Sequence, residues 1–370
     1  MSGATRTEAA SRRTVLRGAV AGLLATAAGP VVARPALAVP EVDSLTLHVV
    51  VDNAVFGPFL SEQDLPGLRV ERADRTGPRM PRQALMAEFG LSVLGESRKG
   101  ARTRRVLVDF GYSPEVMANN LALLGIDAGR LDATVLSHGH LDHYGGFSGL
   151  FGRSAAPDRR VPLIVGGEET FCERVAMIGA PPPVMGALDR GELARAGLQV
   201  EMAPGPRLVA EHAFTTGIIP LQTFERAAIP TQMRPGAGCR AAELSPAKRA
   251  ASQLPDDGEH ELATCYAVRG LGLVVIASCS HRGVLNSVRR AQAVSGIERV
   301  HAVVGGFHLV RPRTEDEARR TASELAKMNP KYIVPMHCTG EVFIAEALRL
   351  MPEKVVRPYV GSRFTFAAPA

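Results

Sequence analysis

The sequence predicts an α/β protein, and three observations predict it. Apolar, largely β-branched runs of strand length recur along the chain, several of them followed by a polar loop and then by a segment with helical spacing. The run Gly272 to Ala277 is continuously apolar, as expected of a strand buried on both faces. The polar motifs sit at the C-terminal ends of such runs, where open α/β sheets place their sites.

The elements follow in order. Leu45 to Val51 alternates and is β-branched, a strand. Val106-Leu107-Val108 is a second, entering a turn at Asp109-Phe110-Gly111. Pro114 to Leu124 carries Val116, Met117, Leu121 and Leu124 at helical spacing, with Gly125 as its stop. Leu131 to Leu136 and Pro162 to Gly166 read as strands, Val284 to Val294 as a helix, and Val300 to Val304 as a strand ending at Gly305-Gly306-Phe307-His308. Thr314 to Glu317 has the pattern of a capping box, opening a helix to about Met328 that Asn329-Pro330 closes. Tyr332 to Pro335 is the last of these strands, and Glu341 to Leu350 is a closing helix. Gln222 to Gly258 has no period; it is proline- and glycine-bearing and holds Arg226, Arg234, Arg240, Lys248 and Arg249. It reads as a surface insertion, or as a lid whose arginines meet an anionic substrate.

The chemistry is concentrated after Leu136. Ser137-His138-Gly139-His140-Leu141-Asp142-His143 places three histidines and an aspartate within six positions, in a chain with ten histidines in 370 residues. Imidazole nitrogens with a carboxylate suit zinc first, with iron or manganese as alternatives. His281, His308 and His337 follow later strands and are expected at the same sheet edge. His48 and His301 sit in or beside apolar strands and read as core or edge residues.

The N-terminus reads as separate from this fold. Ser11-Arg12-Arg13-Thr14-Val15-Leu16-Arg17 precedes a modest apolar stretch, and Ala36-Leu37-Ala38 supplies a small-x-small cleavage pattern. Residues 1–38 are therefore expected to be a twin-arginine signal, with a mature domain 39–370 that is periplasmic or extracellular and engages the translocase during export. The stretch is too short and dilute for a stable membrane anchor. The whole chain carries +6, but residues 1–38 hold five arginines against one acid, so the mature part has 38 basic and 36 acidic residues, a charge of +2. That is no electrostatic footprint for nucleic acid or an anionic membrane. Five cysteines, Cys172, Cys239, Cys265, Cys279 and Cys338, are scattered without a CxxC pair, so no disulfide framework is expected.

The HxHxDH pattern after a strand resembles the signature of the metallo-β-lactamase superfamily. Val51-Asp52-Asn53, Glu88 to Ser92, Leu107 to Gly111, Cys279 to Asn286, Gly305 to Leu309 and Pro335 to Gly340 narrow the likeness. Together they resemble the branch of dihydropterin-ribofuranosyl-aminobenzene-phosphate synthase-like proteins, from about residue 45 to about residue 350. Within the same likeness, Thr216 to Pro220 and Phe224-Glu225 correspond to a recurring pattern ahead of a substrate loop.

That resemblance implies a four-layer αββα sandwich, a single domain with the 222–258 insertion, and two divalent metal ions about 3.5–4 Å apart sharing a hydroxide. It implies that His138 and His140 hold one metal, Asp142 and His143 the second, and that His337 is the final ligand histidine. Asp142 would also orient the nucleophile. Where most members carry a bridging aspartate, this chain reads Ser278-Cys279-Ser280-His281, so His281 or a Cys279 thiolate can ligate. The remaining histidine has only His260 and the more distant His212 as candidates, with an acid such as Asp257 as a substitute. His308 is assigned as electrophile or general acid, Asn53 and Glu88 as pocket residues with Asp52, and Asp109 as the group that fixes the metal loop through hydrogen bonds.

The expected function is that of an exported metal-dependent hydrolase. A metal-bound hydroxide would attack a small anionic ester, phosphoester or lactone. The alternatives are a pterin-related synthase or transferase of the same branch, and a non-catalytic metal-holding binding protein. A β-lactam substrate is poorly supported, because the bridging-aspartate position is altered.

Overall fold

The computed structural model describes residues 37–56, 60–72, 82–152 and 159–369. The twin-arginine pattern lies outside the described residues. Two large sheets stack on one another, and each is covered on its outer face by helices. One sheet has nine strands, in the order Leu198–Met202, Val161–Val165, Ala133–Leu136, Arg102–Val108, Ser92–Lys99, Ser44–Val51, Arg363–Ala367, Leu68–Glu71 and Gln63–Leu65. Its first four strands run parallel and the rest are antiparallel. The second runs Arg207–Val209, Ala213–Thr215, Thr264–Val268, Gly272–Ile276, Val300–Gly305 and Tyr332–Pro335, with Glu41–Val42 added beside Thr264–Val268. Its last three strands are parallel.

Three apolar cores account for the four layers. Between the sheets lie Leu45, Leu47, Val49, Val106 and Val108 from one side and Tyr266, Val274, Ile276, Val304 and Val334 from the other. Leu273, Val275, Val303 and Ile333, on the opposite pleat of the second sheet, pack under helices Val284–Ser295, Glu315–Met328 and Glu341–Leu350. Leu107, Leu136, Leu163 and Val165 pack under helix Pro114–Leu123. Because successive strand residues face opposite sides, Gly272–Ile276 feeds two cores at once, which explains its unbroken apolar run. The α/β class and the αββα sandwich are both as expected.

Two features differ from expectation. Residues 222–258 are not featureless: Thr231–Arg234 and Leu254–Pro255 join Glu173–Ala176 and Val184–Gly186 in a separate four-stranded antiparallel sheet. The cations there are largely committed within the protein: Arg234 to Glu173, Arg240 to Glu243, and Lys248 to Glu169, Asp257 and Glu259. Cys172 and Cys239 form a disulfide across 67 residues, while Cys265, Cys279 and Cys338 are free thiols. No short spacing announces that pair; the small sheet creates it by bringing the strand beginning at Glu173 beside the loop after Arg234.

Candidate metal centre

The metal loop begins where strand Ala133–Leu136 ends, and Asp109, at the end of the neighbouring strand, organises it. Oδ1 of Asp109 accepts the Ser137 amide at 2.7 Å, and Oδ2 accepts the Ser137 hydroxyl at 2.8 Å. Oδ2 also receives Nδ1 of His143 at 2.7 Å. The Ser137 hydroxyl, having donated to Asp109, accepts from Nδ1 of His138 at 2.9 Å. Both rings therefore keep their protons on Nδ1 and turn Nε2 inward as a lone pair. His140 is arranged the other way, with Nε2 3.2 Å from the Thr231 hydroxyl, which leaves Nδ1 as its free lone pair.

Later strand ends complete the cluster. Ser278-Cys279-Ser280-His281 follows Gly272–Ile276, and its turn is held by Glu261, whose two oxygens accept the His281 and Arg282 amides at 2.8 Å each. Burial pushes the Glu261 carboxyl up to about 7. Nδ1 of His281 donates to the Ala228 carbonyl at 3.3 Å, so its Nε2 is again the free nitrogen. His337 follows Tyr332–Pro335. Its amide is held by Asp52 at 2.8 Å and its Nδ1 lies 3.3 Å from Oδ1 of Asn53. Its Nε2 stands 3.2 Å from Oδ2 of Asp142.

The rings of His138, His140 and His281 form a triangle with centroids 4.6, 4.8 and 4.8 Å apart. The Cys279 sulfur lies 3.2 Å from Nε2 of His143, and its ligating atom is close to those of both His138/His281 and His143/His337. Cys338, which the sequence reading did not assign, sits with its sulfur 3.1 Å from that of Cys279. The cluster is buried throughout, from His143 and His281 at its base to Asp142 and His337 at its edge. Burial and then the neighbouring imidazoles hold His138 and His281 well below the ordinary histidine range, which keeps both rings neutral. Burial alone would also lower His337, but the adjacent Cys338 and the Asp142 carboxylate outweigh it and raise His337 to about 9.

The donor set fits divalent metal. Nε2 of His138 and of His281 and both ring nitrogens of His308 are buried without a hydrogen-bond partner. Each such orphan would ordinarily cost about 1–3 kcal/mol, and several in one spot call for a shared partner. Backbone strain is concentrated at the same place. Asp109, Ser278, Ser280, His308 and His337 all have positive φ, between 41° and 60°, out of eight such non-glycine residues among those described.

Some predicted residues take other positions. His260 is not in the cluster: its Nε2 faces the Gly139 amide at 3.1 Å and Arg174 at 3.1 Å, so it steadies the metal loop's backbone. Asp257 pairs with Lys248, and His212 is buried beside Ser97. Glu88 accepts from the Tyr112 and Ser113 amides and the Ser113 hydroxyl, ahead of helix Pro114–Leu123. Asn53 holds His337. His308 is where expected, with its ring 4.3 Å from that of His281.

The sequence reading missed the support behind His140. Arg174, almost fully buried, donates from Nε to Asp256 at 2.7 Å, and Asp256 also stands 3.8 Å from Nε2 of His140. Thr231 and Asp256 come from the segment that looked featureless, and no local pattern marks them. A cavity of about 170 Å³ opens on the cluster, between Asp142, His308 and Cys279 on the polar side and Phe89, Ile178 and Pro230 on the apolar side.

A strand-framed HxHxDH loop under an αββα sandwich defines a metallo-β-lactamase fold, and part of the chain matches a family model of that name. Residues 99–210 match the family described as the Metallo-beta-lactamase superfamily. Over 258 residues the chain is 29% identical to the 7,8-dihydropterin-6-methyl-4-(beta-D-ribofuranosyl)-aminobenzene-5'-phosphate synthase of Methanocaldococcus jannaschii, covering 69% of this chain and 82% of that one. A second protein of that organism, described as uncharacterized, is 26% identical over 257 residues, 69% of this chain and 85% of its own. Among solved structures, one described as a metal-dependent hydrolase of the beta-lactamase superfamily superposes with a TM-score of 0.63 at 22% identity, covering 86% of this chain and 98% of that one.

Proposed function

We propose that this chain is an exported, metal-dependent hydrolase acting on a small ester, phosphoester or lactone. The observation that carries this reading is the convergence of the orphaned imidazole nitrogens of His138, His281 and His308 with Asp142 and Cys279 beneath a cavity. Two divalent ions suit the set, zinc first because it combines imidazole, carboxylate and thiolate donors. His138, His140 and His281 would hold one; Asp142, His143, His337 and Cys279 would hold the other. When bound, such ions supply Lewis acidity to a carbonyl or phosphoryl oxygen and acidify a water.

The chain's own residues do the rest. Asp142 reaches the cavity with one carboxylate oxygen near His337, placed to accept a hydrogen bond from the attacking water. His308 lines the same cavity with both ring nitrogens uncommitted, placed to give a proton to the leaving group. Asp109 and Ser137 hold the His138 and His143 tautomers. Thr231 and Asp256 orient His140. No lysine or arginine lines the cavity among the described residues, so an anionic substrate would be recognised through the metals rather than through side-chain cations.

Elemental mass spectrometry on the purified protein, with Asp142→Ala alongside, tests the metal centre. Turnover of 4-nitrophenyl esters, bis(4-nitrophenyl) phosphate and a γ-lactone tests the reaction. Close to two metals per chain, fewer in the variant, with turnover that His140→Ala abolishes, is the expected result. Metal without turnover of any of the three classes would leave the metal-holding binding protein in front.

The synthase reading has one specific support, the 29% identity to the archaeal synthase. The Arg12-Arg13 export pattern stands against it, since biosynthetic pterin chemistry belongs inside the cell. The Cys172–Cys239 disulfide supports export as well, because such bonds persist in oxidising compartments. Fractionation of cells producing the full chain, with Arg12→Lys/Arg13→Lys as the comparison, tests the location. Mature protein confined to the cytoplasm in both would remove the export proposal and restore the synthase.

A further inference from the structure

The cavity above the metal cluster holds about 170 Å³, enough for a reacting group and little else. Pockets that enclose whole metabolite-sized ligands are typically about 300–1,000 Å³. The rest of a substrate must therefore lie outside it, and the described residues offer a continuation. A groove of about 1000 Å³ shares two walls with the cavity, Ile178 and Pro230. It runs on between Met177 and Ile229 on one side and Leu309 and Val310 on the other, and turns polar at Arg311 and Glu315.

The apolar character of this path is unusual for a surface. Ile178 is 63% exposed and Phe89 60%, both lining the cavity that reaches the histidine cluster, and Val310, 40% exposed, lines the groove beside Ile178. Clustered exposure of large apolar side chains marks a surface that is covered in use. The groove is also tied to the chemistry by the chain itself. Leu309 and Val310 directly follow His308, and Ile178 lies just beyond the strand Glu173–Ala176, which pairs with Thr231–Arg234. Arg313 is not available to a ligand there, because it donates to the carbonyls of Arg226 and His281.

We infer that the groove binds an apolar arm of the substrate, so that the substrates are esters, phosphoesters or lactones carrying a medium-length alkyl or aryl-alkyl chain. This rests on the hydrolase reading for where the reactive group sits. The arm would lie against Ile178, Pro230, Leu309 and Val310, with its electrophilic end in the cavity beside Asp142 and His308. Each methylene that leaves water for such a wall strengthens binding by roughly two- to fourfold.

Two measurements on the metal-loaded protein test it. The first is kcat/KM for 4-nitrophenyl esters from acetate to decanoate; the second is calorimetric binding of the carboxylates from acetate to decanoate, which needs no turnover. Both are repeated with Val310→Asp and Ile178→Asp, with metal content and melting temperature checking that the variants are folded. The expected result is an octanoate-to-acetate ratio of about tenfold or more in kcat/KM that collapses in both variants, with decanoate binding lost in parallel. Turnover independent of chain length, with no decanoate binding, would overturn the groove and leave the hydrolase standing. Decanoate binding that both variants weaken, without turnover of any ester, would keep the groove and remove the hydrolase. Chain-length dependence that both variants leave intact would place the apolar arm elsewhere and overturn the inference.

Discussion

Oδ2 of Asp109 stands 2.7 Å from Nδ1 of His143, and the same carboxylate holds the Ser137 amide and hydroxyl. One buried side chain at the end of strand Arg102–Val108 thus fixes the start of the metal loop and the tautomer of its last histidine. Replacing Asp109 with Ala should lower metal affinity by roughly 10–100-fold, the usual loss when a ligand's hydrogen-bonding partner is removed. Competition with a chromogenic chelator reads this directly. Unchanged affinity would mean that His143 holds its orientation without Asp109.

Gly139 is the residue between the first two histidines, and it has no room for a side chain. A Cβ there would lie 2.3 Å from the Thr170 carbonyl oxygen and 2.7 Å from Nη1 of Arg174. Gly139→Ala should therefore displace the loop, costing about 1–3 kcal/mol by overpacking and reducing metal occupancy together with stability. Denaturant titration and metal analysis on one preparation check both. A fully loaded, equally stable variant would show that the loop can move without disturbing the ligands.

Arg174 and Asp256 form an ion pair in which both side chains are about 1% exposed. Removing the carboxylate leaves a guanidinium buried without its counter-charge, so Asp256→Ala should lose about 3–5 kcal/mol. Asp256→Asn, which keeps an acceptor near Nε, should fall between that variant and the wild type. Urea unfolding of the three proteins makes the comparison, and a loss under about 1 kcal/mol in Asp256→Ala would show that water reaches Arg174.

His301, on strand Val300–Gly305, packs its ring against Tyr332 and Phe366, with Nε2 donating to the Gly67 carbonyl at 3.0 Å and Nδ1 buried and unpartnered. Burial lowers its pKa to about 4, against an ordinary value of 6.5. The unfolded chain therefore binds this proton more readily than the folded one. Stability from the neutral ring is full above about pH 6.5 and is lost as the pH falls toward 4. His301→Gln should flatten the fall in melting temperature over that window, by an amount equivalent to on the order of 1 kcal/mol. An equally steep acid limb in the variant would assign the dependence to other groups.

Much of this protein was determined locally and could be read along the chain. Strand Gly272–Ile276 is apolar at nearly every position because it lies between two cores, and the capping box at Thr314 and Glu317 forms as its spacing requires. His138, His140, Asp142 and His143 share one short loop, so their proximity needed no knowledge of the fold. His281, His308 and His337 were legible for a related reason: each follows a parallel strand of the same sheet, and parallel strands deliver their C-terminal ends to one edge.

What only the tertiary structure decided depends on contacts between distant segments. Asp256 and Thr231 reach His140 because a small antiparallel sheet folds residues 231–255 against strand Glu173–Ala176, and no periodicity encodes that pairing. The same sheet joins Cys172 to Cys239 and turns His260 toward Gly139 rather than toward the histidine cluster. Glu88, which suggested a pocket residue, is spent on the amides ahead of helix Pro114–Leu123. The apolar wall of Ile178, Pro230 and Val310 comes from three separate loops, each unremarkable alone. A sequence records which side chains are present and their local period; which distant partner satisfies a buried charge or a bare imidazole nitrogen is settled only when long-range packing brings the two together.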